Sequence, residues 1–341
     1  MSGTVLVTGG SGYIASFLIR QLADAGWTVH TTIRNLAGEA RARERLGIAG
    51  APVTFFAAEL MDDKGWAEAM AGCTHVAHVA SPFPVGVPKS EDELIVPARE
   101  GALRALRFAR DAGVTRFVLT SSAAAIAYGH PPAKTEFTEA DWTNLDTPGI
   151  QPYIKSKTVA ERAAREWVAR EGGAMEFCSV NPVAVLGPVL GDDFAASIEL
   201  AKQLLEGKIP ALPDVGFCLV DVRDVADLHV RALTAPAESV RDGRFLASAS
   251  PFYKFADLAR VVRARLGDQA RKVPTRKMPD FVVRLLAKFV PDLRQLVGEL
   301  GRTRLTSGQH ARDVLGWAPR DPDDTIEDTA RSLIEHGLVK V

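Results

Sequence analysis

Residues Thr8 to Ala15 read T-G-G-S-G-Y-I-A and follow directly on the apolar run Val5-Leu6-Val7. A strand, then Gly9-x-x-Gly12-x-x-Ala15, then a helix is the layout that a bound phosphate needs. Gly9 lets the backbone turn sharply, Gly12 lets a pyrophosphate approach the amides, and Ala15 lets the helix lie close to the sheet. A helix opening at Tyr13 and Ile14 aims unpaired N–H groups and its positive dipole end at the anion. The glycine spacing alone also describes an ordinary tight turn. The next strand, Thr28–Ile33, separates the two readings because it ends at Arg34. In a dinucleotide fold that position faces the adenosine ribose, where a carboxylate reads a free 2′-OH and an arginine accommodates a 2′-phosphate. Arg34 therefore predicts NADP(H) rather than NAD(H), with Arg41 as a second cation.

Outward from this turn, short apolar runs alternate with longer helical patterns. Strands are expected at Thr4–Thr8, Thr28–Ile33, Val53–Ala57, His75–Ala80, Arg116–Thr120 and Met175–Val180, with helices at Tyr13–Ala25, Gly38–Leu46, Asp63–Ala71, Glu91–Ala112 and Ile154–Arg170. Alternation of this kind, with strands apolar on both faces, predicts an α/β fold: a Rossmann-type doubly wound parallel sheet. After Asn181-Pro182 the elements shorten. A strand at Phe217–Val220, a helix at Val222–Leu233 and helices near Phe255–Leu266, Pro279–Phe289 and Asp324–Glu335 suggest a smaller, mostly helical C-terminal substrate lobe. The expected division is 1–180 for the dinucleotide domain and 181–341 mainly for the lobe, with some segments returning to the first domain. Val222–Leu233 reads as packing for the lobe.

The composition suits a soluble globular protein. Forty-one Lys+Arg face 42 Asp+Glu, so a net charge of −1 supplies no field for nucleic acid or an anionic membrane. No apolar run is long enough to span a bilayer, and a cytoplasmic location is expected. Cys73, Cys178 and Cys218 read as buried free thiols. His75 and His78 read as core or edge histidines, His229 and His310 as solvated, and no metal site is expected. Arg41–Arg45 interleaves acids and reads as a helix face.

Two further stretches carry chemistry. Tyr153 and Lys157 stand four apart at the start of a helix, so phenol and ammonium share one face. A cation beside the phenol is expected to draw its pKa, ordinarily about 10, toward working pH. The buried strand Phe117–Thr120 ends in Ser121-Ser122 at the sheet edge where α/β folds bind ligands, which places Ser122 to hold an oxygen that gains negative charge.

With these motifs in this order, the chain resembles an extended short-chain dehydrogenase/reductase, and within that superfamily the group of dihydroflavonol reductases, cinnamoyl-CoA reductases and microbial aldehyde or ketone reductases. The resemblance spans nearly the whole chain. It rests on Thr8–Ala15, Thr32-Ile33-Arg34, Ala57-Ala58-Glu59-Leu60, His78–Pro82, Thr120–Ala123, Tyr153–Lys157, Asn181-Pro182 with Gly187-Pro188, Val220–Ala226 and Leu315-Gly316-Trp317.

The resemblance implies Ser122, Tyr153 and Lys157 as the catalytic set, with Tyr153 as general acid. It implies a cofactor lined by Gly9, Gly12, Tyr13, Ile14, Arg34, Arg41, Glu59, Leu60, Val79, Ala80, Ser81, Thr120, Tyr153, Lys157, Pro182, Val183 and Ser197. Plant dihydroflavonol reductases carry a polar residue five places after the catalytic serine, where this chain has Ala127. Ala123, Ala124 and Ala127, with Phe83 closing from the loop after the fourth strand, form a small apolar wall. A hydrophobic or aromatic aldehyde or ketone is thus the expected partner, and the chain is expected to work as a monomer or homodimer. A nucleotide-sugar epimerase or dehydratase, a hydroxysteroid dehydrogenase and a non-catalytic NADP(H) sensor remain alternatives. Ile154 in place of the glycine usual in sugar enzymes speaks against the first.

Overall fold

The computed structural model describes residues 3–82, 88–192, 196–249, 251–289, 293 and 296–340. Its main sheet has seven parallel strands: β1 (Thr4–Val7), β2 (Thr28–Ile33), β3 (Val53–Ala57), β4 (His75–His78), β5 (Arg116–Thr120), β7 (Glu176–Pro182) and β10 (Arg244–Ala247). Their spatial order is β3-β2-β1-β4-β5-β7-β10. The chain winds outward from β1 in one direction through β2 and β3, then returns to its other side at β4. That reversal opens a crevice beyond the carboxyl ends of β1 and β4, where folds of this class bind dinucleotides.

Alternation along the strands builds two separate cores. Val5 and Val7, with Val118, Cys178 and Val180, pack beneath α1 (Tyr13–Asp24) and α7 (Val222–Thr234). Leu6, Val76, Phe117, Leu119 and Phe177 point the other way, toward α3 (Trp66–Met70), α4 (Asp92–Asp111) and α5 (Pro152–Glu171). The remaining helix of this half is α2 (Glu39–Leu46). The expected helix at Asp63–Ala71 begins three residues late. Gly65 takes φ +83°, and a Cβ there would lie 1.9 Å from the Ala57 carbonyl oxygen, so the chain cannot enter the helix before it.

A two-residue strand β6 (Glu136–Phe137) lies in the loop before α5. Past β7, the strands β8 (Ala184–Leu186), β9 (Gly216–Asp221) and β11 (Phe252–Lys254) make a second sheet in the order β11-β9-β8. Around it pack α6 (Ala196–Leu205), α9 (Phe255–Leu266) and α12 (Pro322–Glu335). The shorter α8 (Ala237–Val240), α10 (Asp280–Leu286), β12 (Leu305–Thr306) and α11 (Gln309–Leu315) complete the described elements.

Two sequence readings are corrected here. Helix α7 is not lobe packing: its apolar face lies against α1 and the main sheet, with Val222, Val225, Ala226, Leu228 and Leu233 all buried. His229 is not solvated but fully buried on that face. The tail also returns to α7. Trp317 Nε1 donates to the Asp224 carbonyl (2.9 Å), and the Arg320 amide donates to the Asp224 carboxylate (2.7 Å). All three cysteines are buried and free. Among the described residues no helix is long and apolar enough to cross a membrane.

Candidate active site

The glycine turn meets the requirements of a phosphate cradle. Gly9 takes φ +74°, and a Cβ there would sit 3.1 Å from Ala80 on the loop after β4. Gly10 is tighter still, with a Cβ falling 2.3 Å from Thr31 Oγ1. No side chain caps α1 behind Gly12, so the first-turn amides, Tyr13 and Ile14 among them, remain free to receive an anion. The floor is pinned by Thr8. Its Oγ1 accepts from the amides of Val79 (3.0 Å) and Ala80 (2.9 Å), which turns its own proton toward His78 Nδ1 (3.0 Å). Buried His78 is thereby held neutral, its pKa pushed down to about 3 by burial first and by the Lys157 charge second. Val79, Ala80 and Ser81 follow β4 on the loop that meets the turn through Thr8 and Gly9.

Arg34 stands exposed at the end of β2. Arg41 points across the surface to Asp192 (2.9 Å), with both side chains largely in solvent. The cation that reaches the turn is instead Arg45, whose Nη2 donates to the Ser11 carbonyl (2.6 Å). Its pattern had read only as a helix face; one helical turn past Arg41 is the sole sequence signal for it. Glu59 is exposed beyond β3, and Leu60 packs against Gly101 of α4. Tyr13 buries its ring and donates to the Pro188 carbonyl (3.2 Å), with burial and the nearby Asp221 charge raising its pKa. Pro182 and Val183 close the end of β7, and the Val183 amide donates to Ala247. Ser197 donates to the Val185 carbonyl (2.5 Å) and faces an apolar cavity between α6, α9 and α12. The Thr120 hydroxyl turns to His229 Nε2 (2.7 Å).

At the ends of β5 and α5 the three chemical residues converge. Ser122 caps a 3-10 turn over Ala123–Ala125, its Oγ accepting from the Ala124 amide (3.1 Å). Pro152 opens α5, and Tyr153 on its first turn hydrogen-bonds Ser122. Lys157 Nζ lies 5.9 Å from the Tyr153 ring centroid. The expected drop in the phenol's pKa is not seen: burial raises it, and the Ser122 hydrogen bond only partly opposes this. The phenol therefore holds its proton. Burial also draws Lys157 down to about 8, opposed by the Glu161 charge.

The alanine wall is apolar but not bare. Ala127 is buried with Ile126, Phe137 and Leu246, Ala124 is likewise buried, and Ala123 packs at the edge. Next to them Tyr128 lies beneath the Arg304 guanidinium (4.4 Å to the ring centroid), and Arg304 pairs with Glu299. Burial pushes the Tyr128 phenol up to about 12, and both Glu299 and Tyr153 are close enough to act on it. Neither Tyr128 nor the pair was foreseen, since Arg304, which donates to the Ala127 carbonyl, lies 177 residues beyond that alanine. Phe83 lies outside the described residues.

A dinucleotide crevice served by a serine, a protonated tyrosine and a lysine defines an oxidoreductase that works with a nicotinamide cofactor. Residues 5–248 match the model of the NAD dependent epimerase/dehydratase family, and the chain belongs to that family, in the reductase group of the extended short-chain dehydrogenases/reductases. It is 35% identical over 254 residues to a cinnamoyl-CoA reductase of Medicago truncatula, covering 71% of this chain and 75% of that protein. With a dihydroflavonol 4-reductase of Zea mays it shares 30% over 257 residues, 72% of this chain and 70% of the relative. In fold it resembles the yeast methylglyoxal/isovaleraldehyde reductase Gre2 solved with NADPH, with a TM-score of 0.81, 23% identity and coverage of 98% and 100%.

Proposed function

We propose that this chain is an NADPH-dependent carbonyl reductase that converts a hydrophobic, often aromatic, aldehyde or ketone to its alcohol. The observation that carries the reading is the contact of protonated Tyr153 with Ser122, beside Lys157 and opposite the glycine turn. The first-turn amides of α1 would hold the pyrophosphate, and Arg34 with Arg45 would face the adenosine phosphate. Ser81 and Val183 would border the nicotinamide. When bound, the cofactor supplies the hydride that reaches the carbonyl carbon.

The chain's own part is orientation and proton supply. Ser122 donates a hydrogen bond to the carbonyl oxygen, and Tyr153 gives that oxygen its proton as charge develops, leaving a phenolate. The Lys157 ammonium stabilises that phenolate, an effect absent from the resting site because the phenol is neutral there. The alanine wall supports an apolar carbonyl substrate, and Tyr128 offers it one polar contact.

The test follows NADPH and NADH oxidation against aromatic aldehydes, aliphatic ketones, a dihydroflavonol and a hydroxycinnamoyl-CoA. NADPH-dependent turnover of at least one uncharged carbonyl is expected. Tyr153→Phe should lower kcat by about a hundredfold or more while NADPH still binds. Silence across the panel, or a Tyr153→Phe variant that keeps its kcat, overturns the reading.

A further inference from the structure

Behind Ser122 and Lys157 lies a charged cluster that the proposed reaction does not use. Glu161 is fully buried on α5, one turn past Lys157 and two past Tyr153. Its Oε2 accepts from Ser121 Oγ (2.5 Å) and Asn181 Nδ2 (2.8 Å). Its Oε1 accepts from Ser179 Oγ (3.0 Å), Arg165 Nε (3.2 Å) and Arg244 Nε (2.7 Å). These donors come from the residue after β5, from β7 and β10 and from α5 itself, so one carboxylate ties three neighbouring strands to the helix bearing Tyr153. A fully buried ion is costly, and apolar residues of similar volume often serve stability as well or better. The cost needs another return.

Two links run from Glu161 to the reacting groups. Ser121 immediately precedes Ser122, and Asn181 Nδ2 also donates to the Ser122 carbonyl (3.2 Å), so the peptide carrying Ser122 is gripped from both sides. Tyr153, Lys157, Glu161 and Arg165 then recur every four residues, stacking phenol, ammonium, carboxylate and guanidinium on one helical face.

We propose that Glu161 is a positioning residue for the reaction: through Ser121 and Asn181 it fixes the Ser122 backbone, and one helical turn past Lys157 it presents the negative charge that this side chain faces. This rests on the reading of Ser122, Tyr153 and Lys157 as the reacting set. The groups that bear on Lys157 are neutral His78 from β4, Tyr153 and Glu161 from its own helix, and, behind the carboxylate, Arg165 and Arg244 from β10. The ion pairs joining α4 to α5, Glu91 with Lys155 and Arg110 with Glu171, involve other positions of α5. Burial lowers the Lys157 pKa to about 8 and only the Glu161 charge opposes it, so removing that charge must lower it further. Removing Arg244 takes away a cation behind the carboxylate, and with Arg165 and Ser121 still holding Glu161 ionised the Lys157 pKa must rise.

The titration of Lys157 is followed by NMR of the lysine-labelled protein without cofactor, with Lys157→Arg assigning the signal. Glu161→Gln should move the midpoint down by about one unit or more, and Arg244→Met should move it up. In the reductase assay the alkaline limb of kcat should shift in the same directions. Ser121→Ala should lower kcat about tenfold with the Lys157 midpoint unmoved. A merely structural cluster would change stability and leave these midpoints alone. Coincident midpoints in Glu161→Gln and wild type overturn the proposal, as does a wild-type kcat in Ser121→Ala. Should Glu161→Gln fail to fold, an unmoved midpoint in Arg244→Met overturns it equally. The NMR titration needs no substrate, so a protein that reduces no carbonyl sinks the proposed function while the Lys157 shift still judges Glu161.

Discussion

In the proposed cofactor site, Arg34 and Arg45 would bear on the phosphate in different ways. Arg45 is tied to the Ser11 carbonyl and so helps build the turn. Arg34 stands exposed at the strand end and makes its case only through charge and a planar fork suited to phosphate. Arg34→Ala should therefore weaken NADPH by about tenfold or more in KM while leaving the KM for NADH nearly unchanged, measured by paired initial-rate titrations. Equal losses for both cofactors would mean that Arg34 shapes the pocket and reads no phosphate. Legibility also divides at this scale. Tyr153 and Lys157 were readable because helical spacing alone brings them together, and Glu161 lay on the same four-residue repeat. Tyr128 was not, because its meaning depends on Arg304 arriving from a distant segment.

Among elements, the long periodic helices and the apolar strands between clear breaks were legible, and the short strands without such a pattern were not. Helices α4 and α5 carry enough turns for their buried stripe to declare itself, and β1 to β5 are apolar runs between clear breaks. Strand β10 is four residues long and opens with Arg244, whose buried guanidinium is explained only by partners distant in sequence, Glu161 and the Glu139 and Asp141 carbonyls. Strands β8 and β11 have three residues each, too few for a period. Helix α7 was seen but assigned to the wrong partner, since an apolar stripe does not say which sheet it covers. The glycine turn is where element geometry makes a sharp forecast. Gly10 has an ordinary φ, so its constraint is space: a Cβ would strike Thr31 Oγ1, which is itself bound to the Val7 carbonyl (2.8 Å). Gly10→Ala should cost about 1–3 kcal/mol in thermal or denaturant unfolding and weaken NADPH binding with it. Wild-type stability and affinity in that variant would show that the turn relaxes freely.

At the scale of the molecule, both faces of the main sheet carry a buried neutral histidine. His78 at the end of β4 receives the Thr8 proton among Trp66 and Phe117. On the other face, His229 donates Nδ1–H to the Val225 carbonyl (2.8 Å) and accepts the Thr120 hydroxyl at Nε2. Burial lowers their pKa values to about 3 and about 4. A histidine depressed in the fold binds its proton in the unfolded chain first, near pH 6.5. Its stabilising contribution is therefore present above pH 6.5 and is lost as the pH falls toward the folded value. Near pH 5 the unfolded state holds about two protons on these histidines that the native state refuses. The loss from His229 alone reaches roughly 3 kcal/mol at pH 4. Glu161, held below its usual range by Arg244 and Arg165 against burial, adds to the slope once the pH drops under about 4.5, where an unfolded glutamate begins to protonate. Denaturant unfolding at half-unit steps should show stability declining from pH 6.5 downward, and His229→Gln should flatten that decline by about one proton. A flat profile between pH 6.5 and 5 would mean that these histidines find water or a proton partner that the packed sheet does not provide.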